Sequence, residues 1–433
     1  MNIPEHNLFP SFKFKSASAF SRNVSILLTG TVVAHAIPLL VSPVLTRLFS
    51  PADFGLFALY FGISQIISVF VTGRYEMAIM LPEKDEDAIN VVAVSVIITL
   101  FISILSLILI FPFRNSLAIL LKSPEIADYL LFIPVTVFAI GLYTIFNLWL
   151  NRKAHFKSIS AGKITRSAFS SFFSIGFGLT LFKTGGLILA DTIGQLVSGI
   201  YVMIRFLKYD RNKIKFISKE SMIKQSGRYK HFPKFNILSG LLEKASGQLP
   251  VIMLTTFFGA ATVGFFSFAQ RIIGIPGSLI GASAGDVFRQ QAIIEFQKKG
   301  NCRDAFLDLL KLLLLVAIIP FLIIFFFSPL LFGFIFGPEW RIAGEYARIM
   351  TLMFFLSFIV GPLSNMFIIA EKQKIDLIVQ IFLFSFLLLS ILAGYNIFHD
   401  PKAVIVLYSI TYCVKYFIEL YLSYQFSRGF KYS

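Results

Sequence analysis

Residues 88–111 read AINVVAVSVIITLFISILSLILIF, a stretch without one charged side chain. As a helix rising about 1.5 Å per residue, such a run exceeds the ~30 Å hydrocarbon layer of a bilayer. Working outward, the chain carries eleven more runs of the same kind, at 24–46, 54–73, 128–150, 167–183, 186–206, 235–257, 263–284, 305–331, 344–370, 376–397 and 403–424. Hydrophobic residues make up 56% of the 433 and charged residues 14%, more apolar surface than a soluble chain of this length can hide. In lipid every backbone polar group must be satisfied internally, and runs of about 20 residues suit helices rather than the 9–11-residue strands of a barrel. The expectation is an all-α, polytopic membrane protein with twelve transmembrane helices and no soluble domain to carry chemistry.

The net charge of +16 reads as a topology signal. If the N-terminus is cytoplasmic, 28 of the 39 Lys and Arg fall in loops on that side and 7 on the other. By the positive-inside rule both termini are expected in the cytoplasm. Nucleic-acid binding would need a basic face on a folded domain, and none is encoded. Ala34-His35-Ala36 mimics a signal cleavage site, but the apolar run continues through Leu45 and more spans follow, so no cleaved signal is expected. Cys302 in a cytoplasmic loop and Cys413 in mid-span are not placed to bridge, and no metal-ligand spacing occurs. No cofactor, metal or catalytic residue is expected.

The longest gap is a basic linker at the midpoint, dividing the chain into an N-terminal lobe (1–206), the linker (207–234) and a C-terminal lobe (235–433). Residues 44–63, VLTRLFSPADFGLFALYFGI, align with 253–272, MLTTFFGAATVGFFSFAQRI, at an offset of 209. They share Leu45/Leu254, Thr46/Thr255, Phe49/Phe258, Ala52/Ala261, Gly55/Gly264, Phe57/Phe266 and Ile63/Ile272. Both segments end an odd span, turn outside and begin an even span, which suggests parallel repeats related by an axis along the membrane normal.

Polar residues at helical spacing mark helix packing or a wet cavity, and both readings fit the Gly and Ser positions. The seventh span carries Ser239, Gly240, Glu243, Ser246 and Gly247; the eighth carries Gly264, Ser267, Arg271, Gly274 and Ser278. A charge at the bilayer centre costs about 2.5–3.5 kcal/mol on insertion scales, so buried charges pair or face water. Glu243 and Arg271 are candidates for a pair across these two spans, structural or substrate-contacting. Lys244 lies about 100° from Glu243 around the helix. Arg74 and Glu76 close the second span as a local ion pair or a gate. His35, in a first span bent by Pro38 and Pro43, is a packed imidazole or a proton carrier, and Asp191 lies on the polar stripe of the sixth span. Lys415 and Glu419 read as interfacial snorkelling.

PVLTRLFSPADFGLFALY (43–60), GRYEMAIMLPEKDEDA (73–88), LWLNRKAHFKSISAGKITRS (148–167), the region around spans seven and eight and IIAEKQKIDLIVQI (368–381), in this order, resemble Wzx-type polysaccharide flippases of the multidrug/oligosaccharidyl-lipid/polysaccharide flippase superfamily. The resemblance covers about residues 20 to 380. It implies two six-helix lobes around a central cavity, in the bacterial cytoplasmic (inner) membrane. It implies an undecaprenyl-pyrophosphate-linked glycan as substrate, moved by alternating access with its lipid tail among membrane lipids, for O antigen, capsule or exopolysaccharide assembly. A polysaccharide polymerase is a candidate partner. A proton or sodium gradient is the expected energy source, since no Gly-rich phosphate loop for ATP occurs. Cavities in the family are often cationic, which makes Arg271, Lys244 and Arg74 candidate substrate contacts, with Glu243, His35, Asp191 and Glu76 as ion-coupling or structural partners. The alternatives are a cation-coupled small-molecule exporter of the same superfamily, a membrane glycosyltransferase or polymerase, and a non-transporting membrane scaffold.

Overall fold

Residues 17–180 and 185–429 are described by a computed structural model, in which the elements are helical throughout. In chain order they are α1 (Ala17–Leu48), α2 (Pro51–Ser68), α3 (Asp85–Leu120), α4 (Ile133–Arg152), α5 (Phe156–Gly178), α6 (Gly186–Asp210), α7 (Lys219–Arg228), α8 (Ile237–Phe258), α9 (Ala260–Pro276), α10 (Ala282–Lys299), α11 (Arg303–Phe336), α12 (Arg341–Leu363), α13 (Met366–Ile369), α14 (Gln373–Phe398) and α15 (Pro401–Ser427). The chain is a multi-pass, all-α membrane protein. Lys13, Lys15, Lys183 and Lys431, counted in the charge bias, lie outside the described residues.

Among the described residues, nine helices are long and apolar enough to cross a membrane. The three apolar runs that miss this mark, 54–73, 167–183 and 235–257, correspond to α2, α5 and α8. All three contribute residues to the central cavity described below; the polar cavity face of α5 lowers its mean hydropathy, and Glu243, Lys244 and Gln248 lower that of α8. One large boundary difference has the same cause. The span expected at 167–183 begins at Phe156, so Lys163 and Arg166 sit within a membrane helix instead of a cytoplasmic loop. The eighth span also runs on: α9 passes through a π-turn at Gly277–Gly281 into α10, which continues to Lys299.

The basic midpoint segment is ordered and fastened to the first half. Asp85, at the start of α3, meets Arg152 at 3.2 Å, Lys213 at 3.4 Å and also Lys153. Asn90 bonds the Phe216 carbonyl at 3.0 Å and the Ser218 amide at 3.0 Å, and Gln225 donates to Asp87 at 2.7 Å. Trp149 donates to the buried Asp210 at 3.0 Å. The acidic run EKDEDA is thus the dock for the positive segment.

The two halves meet where the repeat was read. Helix α2 starts with a Ser50–Asp53 capping box and Pro51 in its first turn, which fixes the turn after α1. It crosses α9 so closely that a Cβ on Gly55 would lie 1.7 Å from the Ala260 carbonyl oxygen, and one on Gly264 would lie 1.8 Å from the Pro51 carbonyl oxygen. Pro51 and Ala260 are related by the same offset of 209 as Gly55 and Gly264. The contact is therefore reciprocal, as a two-fold relation between the segments requires. Trp340 plugs the same end. Its ring centroid lies 4.9 Å from Phe54 and 4.5 Å from Phe268, and its indole N–H donates to the Thr46 carbonyl at 3.2 Å. Both cysteines are buried and free, and burial beside Glu295 pushes the Cys302 thiol up to about 12.

The obstacle at Gly264 is backbone, which cannot swing aside, so Gly264→Val should lower the melting temperature of the purified protein by the equivalent of about 1–3 kcal/mol of overpacking. Gly247→Val, with nothing within 4 Å of its added Cβ, is the control. Equal melting temperatures for the two variants would contradict the tight α2–α9 crossing.

Candidate functional site

A cavity of about 780 Å³ lies between the two halves, walled by α1, α2, α5 and α6 on one side and α8 and α9 on the other. Helix α5 supplies its most polar wall. Lys163, Ser167, Ser170 and Ser174 recur every three or four residues and so share one face, with Arg166 and Ser171 beside them. Lys163 Nζ donates to Thr31 Oγ1 of α1 at 3.0 Å. Arg166 Nη2 lies 3.4 Å from Asp191 Oδ1 of α6. The other Asp191 oxygen, Oδ2, is buried and has no hydrogen-bond partner among the described residues. Behind Asp191, the Tyr60 hydroxyl meets Thr136 Oγ1 at 2.6 Å, and Thr136 meets Thr192 Oγ1 at 2.9 Å. This buried relay ties α2, α4 and α6 together and fixes the wall that presents the carboxylate.

Arg271 reaches the cavity from α9, in the second half. It is accessible inside the cavity and lies in the field of Asp191 and Arg166. His35 of α1 faces the same space under the influence of Lys163 and Arg271. Among the described lining residues there are three fixed cations, Lys163, Arg166 and Arg271, and one carboxylate, Asp191. With His35 counted as neutral, the cavity carries a net charge of +2.

Of the residues singled out in the sequence, Arg271, His35 and Asp191 come together here. The stripe residues Gly247, Ser267 and Gly274 line it too, whereas the charged candidates Glu243, Lys244, Arg74 and Glu76 do not. Glu243 is exposed, and among the described residues it makes no ion pair with Arg271, whose charged neighbours are Arg166 and Asp191 instead. Lys244, a quarter-turn further round α8, makes no ion pair among them either. Arg74 adopts a left-handed φ of 60° at the end of the second span and lies 4.0 Å from Glu76. Its guanidinium rests on α8, where a Cβ on Gly240 would fall 1.7 Å from Nη2. Glu76 is buried and accepts from Thr72. Arg74 and Glu76 thus form a contact between the halves at the end opposite Trp340. Lys415 and Glu419 pair within α15 at 3.1 Å, the carboxylate buried and the half-buried ammonium over the Tyr416 ring.

Lys163 and Arg166 are the cavity cations that the sequence reading missed. The Lys-Ser-Ser-Ser stripe was the signal, hidden because hydropathy assigned its cationic start to a loop. Among the described residues no group of three or more His, Cys, Asp or Glu could hold a metal ion.

A family model described as polysaccharide biosynthesis protein matches residues 44–345. The succinoglycan biosynthesis transport protein ExoT of Rhizobium meliloti (strain 1021) is 21% identical over 275 residues, which are 61% of this chain and 52% of that protein. The chain thus spans about half the length of this relative. Among solved structures, the lipid II flippase MurJ in an inward closed conformation aligns with a TM-score of 0.67 at 15% identity, over 93% of this chain and 89% of that one. The MATE multidrug transporter DinF-BH gives 0.66 at 17% identity, over 98% of both chains. An inward-facing multidrug resistance MATE family transporter of the MOP superfamily gives 0.64 at 17% identity, over 93% and 96%. At these identities the likeness shows a shared fold, that of MATE and MurJ transporters.

Asp191→Asn removes the one carboxylate and leaves three cations facing each other. The purified protein should melt at a lower temperature, by the equivalent of about 1 kcal/mol because Arg166 is partly hydrated. Inorganic pyrophosphate should restore more stability to this variant than to the wild type. Identical melting curves with and without the anion would show that Asp191 does not compensate the cation cluster.

Proposed function

The chain belongs to the polysaccharide biosynthesis protein family, and we propose that it is a flippase for glycans linked to undecaprenyl pyrophosphate. It would carry them across the bacterial cytoplasmic membrane by alternating access, for surface polysaccharide assembly. The observation that carries this reading is the charge of the cavity. A pyrophosphate diester bears two negative charges, and the cavity offers a net +2 within the membrane-spanning region. A dianion crossing bare hydrocarbon meets a Born penalty of order 20 kcal/mol per charge. Fixed cations offset that penalty: at ~4 Å and an effective dielectric near 20, each opposite pair is worth about 4 kcal/mol.

In this reading the headgroup and glycan occupy the cavity while the polyprenyl tail stays among membrane lipids. The Gly55/Gly264 crossing and the Trp340 plug close the external end, and the Arg74–Gly240 contact would open and close the cytoplasmic one. Both termini are cytoplasmic. With Lys163 and Arg166 reassigned to the cavity, 26 basic residues remain in cytoplasmic loops against 7 outside, so the positive-inside bias persists. A net dianion leaving an inside-negative cell gains about 2.3 kcal/mol per charge per 100 mV, provided the protein charges return unchanged. The membrane potential can therefore help drive export, together with a proton or sodium gradient acting through His35 or Asp191. The protein is a transporter and not an enzyme. A multidrug exporter of cationic compounds fits less well, because three cavity cations repel such cargo.

Deleting the gene should stop surface polysaccharide and leave lipid-linked repeat units on the cytoplasmic leaflet, scored by the access of an impermeant glycosidase to the outer leaflet. Repeat units that still reach the outer leaflet, in a strain with no second flippase, would reject the assignment.

A further inference from the structure

We infer that a second groove, opening off the central cavity, holds the sugars of the translocated glycan beyond its pyrophosphate. This rests on the flippase reading. The groove has a volume of about 470 Å³ and runs between the α9–α10 helix and α12. Gly274 lines both spaces, so the groove continues the cavity from a point one helical turn beyond Arg271. At that junction the edge of Phe354 lies 3.4 Å from where a Cβ on Gly274 would stand. Further along, Gly277 and Gly361 have nothing within 4 Å of an added Cβ, so these positions face open space and not a packed helix. At the far end Arg289 donates twice to Asn365 Oδ1, at 3.1 and 2.6 Å, and Asn365 in turn donates to the Gly285 and Pro362 carbonyls.

The chemistry of this lining favours sugar over the polyprenyl tail. An aromatic ring offers an apolar face to the C–H face of a pyranose. The guanidinium N–H groups not used on Asn365 and the Ser357 hydroxyl, which has no hydrogen bond among the described residues, offer the few directed polar contacts that orient a ligand. A prenyl chain gains nothing from those groups, and the bilayer already solvates it. A glycan attached to a pyrophosphate held by Arg271 has no such alternative solvent within the membrane. The π-turn at Gly277–Gly281 widens the helix beside the groove, and its glycines leave room for rings about one sugar wide.

The test uses the full-length protein in proteoliposomes and two substrates on the same undecaprenyl pyrophosphate, one bearing a single sugar and one bearing the complete repeat unit. Gly277→Leu fills the groove from a helical position with free space around it. It should slow flipping of the complete repeat unit at least about tenfold, the scale of losing a few directed contacts, while leaving the single-sugar substrate within about twofold. Phe354→Ala, which removes the ring without adding bulk, should produce the same split. Melting temperatures near wild type for both variants ensure that the comparison reads the groove. Equal slowing of both substrates, as a tail site or a structural role would give, overturns the inference, and so does no slowing of either. If the wild-type protein moves neither substrate, the flippase reading itself fails.

Discussion

Keeping charge inside a membrane is the constraint on which this structure depends. Among the described lining residues, Lys163, Arg166 and Arg271 face a cavity between membrane helices with Asp191 as the one carboxylate to offset their charge. Such a cluster persists only where water or an anion reaches it. A cavity between the halves is therefore required by the charges, and the charges require helices that are not uniformly apolar. The Ser-rich face of α5, the carboxylate of α6 held by the Tyr60–Thr136–Thr192 relay, and the single arginine of α9 follow from that one requirement.

The remainder of the fold confines the opening. Glycine at 55 and 264 lets two backbones touch reciprocally, and Trp340 fills the space beside them. At the other end the contact is made by a side chain, with the Arg74 guanidinium on Gly240. Side-chain contacts can break without separating close-packed helices, whereas the glycine crossing must part as a unit. The midpoint segment is pinned to α3 through Asp85, Asp87 and Asn90 and so packs as part of the first half. The join to the second half is thereby shortened to the residues around the π-turn Phe232–Asn236.

Much of the fold was legible because hydropathy reads lipid-facing helices directly. Run 88–111 became α3, and 305–331 became the core of α11. The repeat was legible because its shared glycines make the same contact twice. The site was only partly legible. Arg271, His35 and Asp191 stood out as charges or imidazole within apolar runs. Lys163 and Arg166 did not, because a helix that lines a wet cavity has the composition of a loop. Glu243 looked like the partner of Arg271 on spacing along α8 and α9, but spacing fixes a face and not the rotation of one helix against its neighbour. Arg74 and Lys244 were read as cavity cations from charge alone, and charge cannot tell a cavity from a contact between halves. The burial of Glu419 beside Lys415 was hidden for a similar reason, since an i,i+4 pair reads the same at an interface as in a core.

The central claim is that the cavity recognises two negative charges. Its most direct test is to reconstitute the protein and compare flipping of one glycan carried on undecaprenyl pyrophosphate with the same glycan on undecaprenyl monophosphate. Losing one charge forfeits one ion pair worth about 4 kcal/mol at most, of which even a third is a factor of ten. The account predicts at least about tenfold faster flipping of the pyrophosphate substrate, and a loss of that preference in Arg271→Ala. Equal rates for the two substrates in the wild-type protein would contradict it.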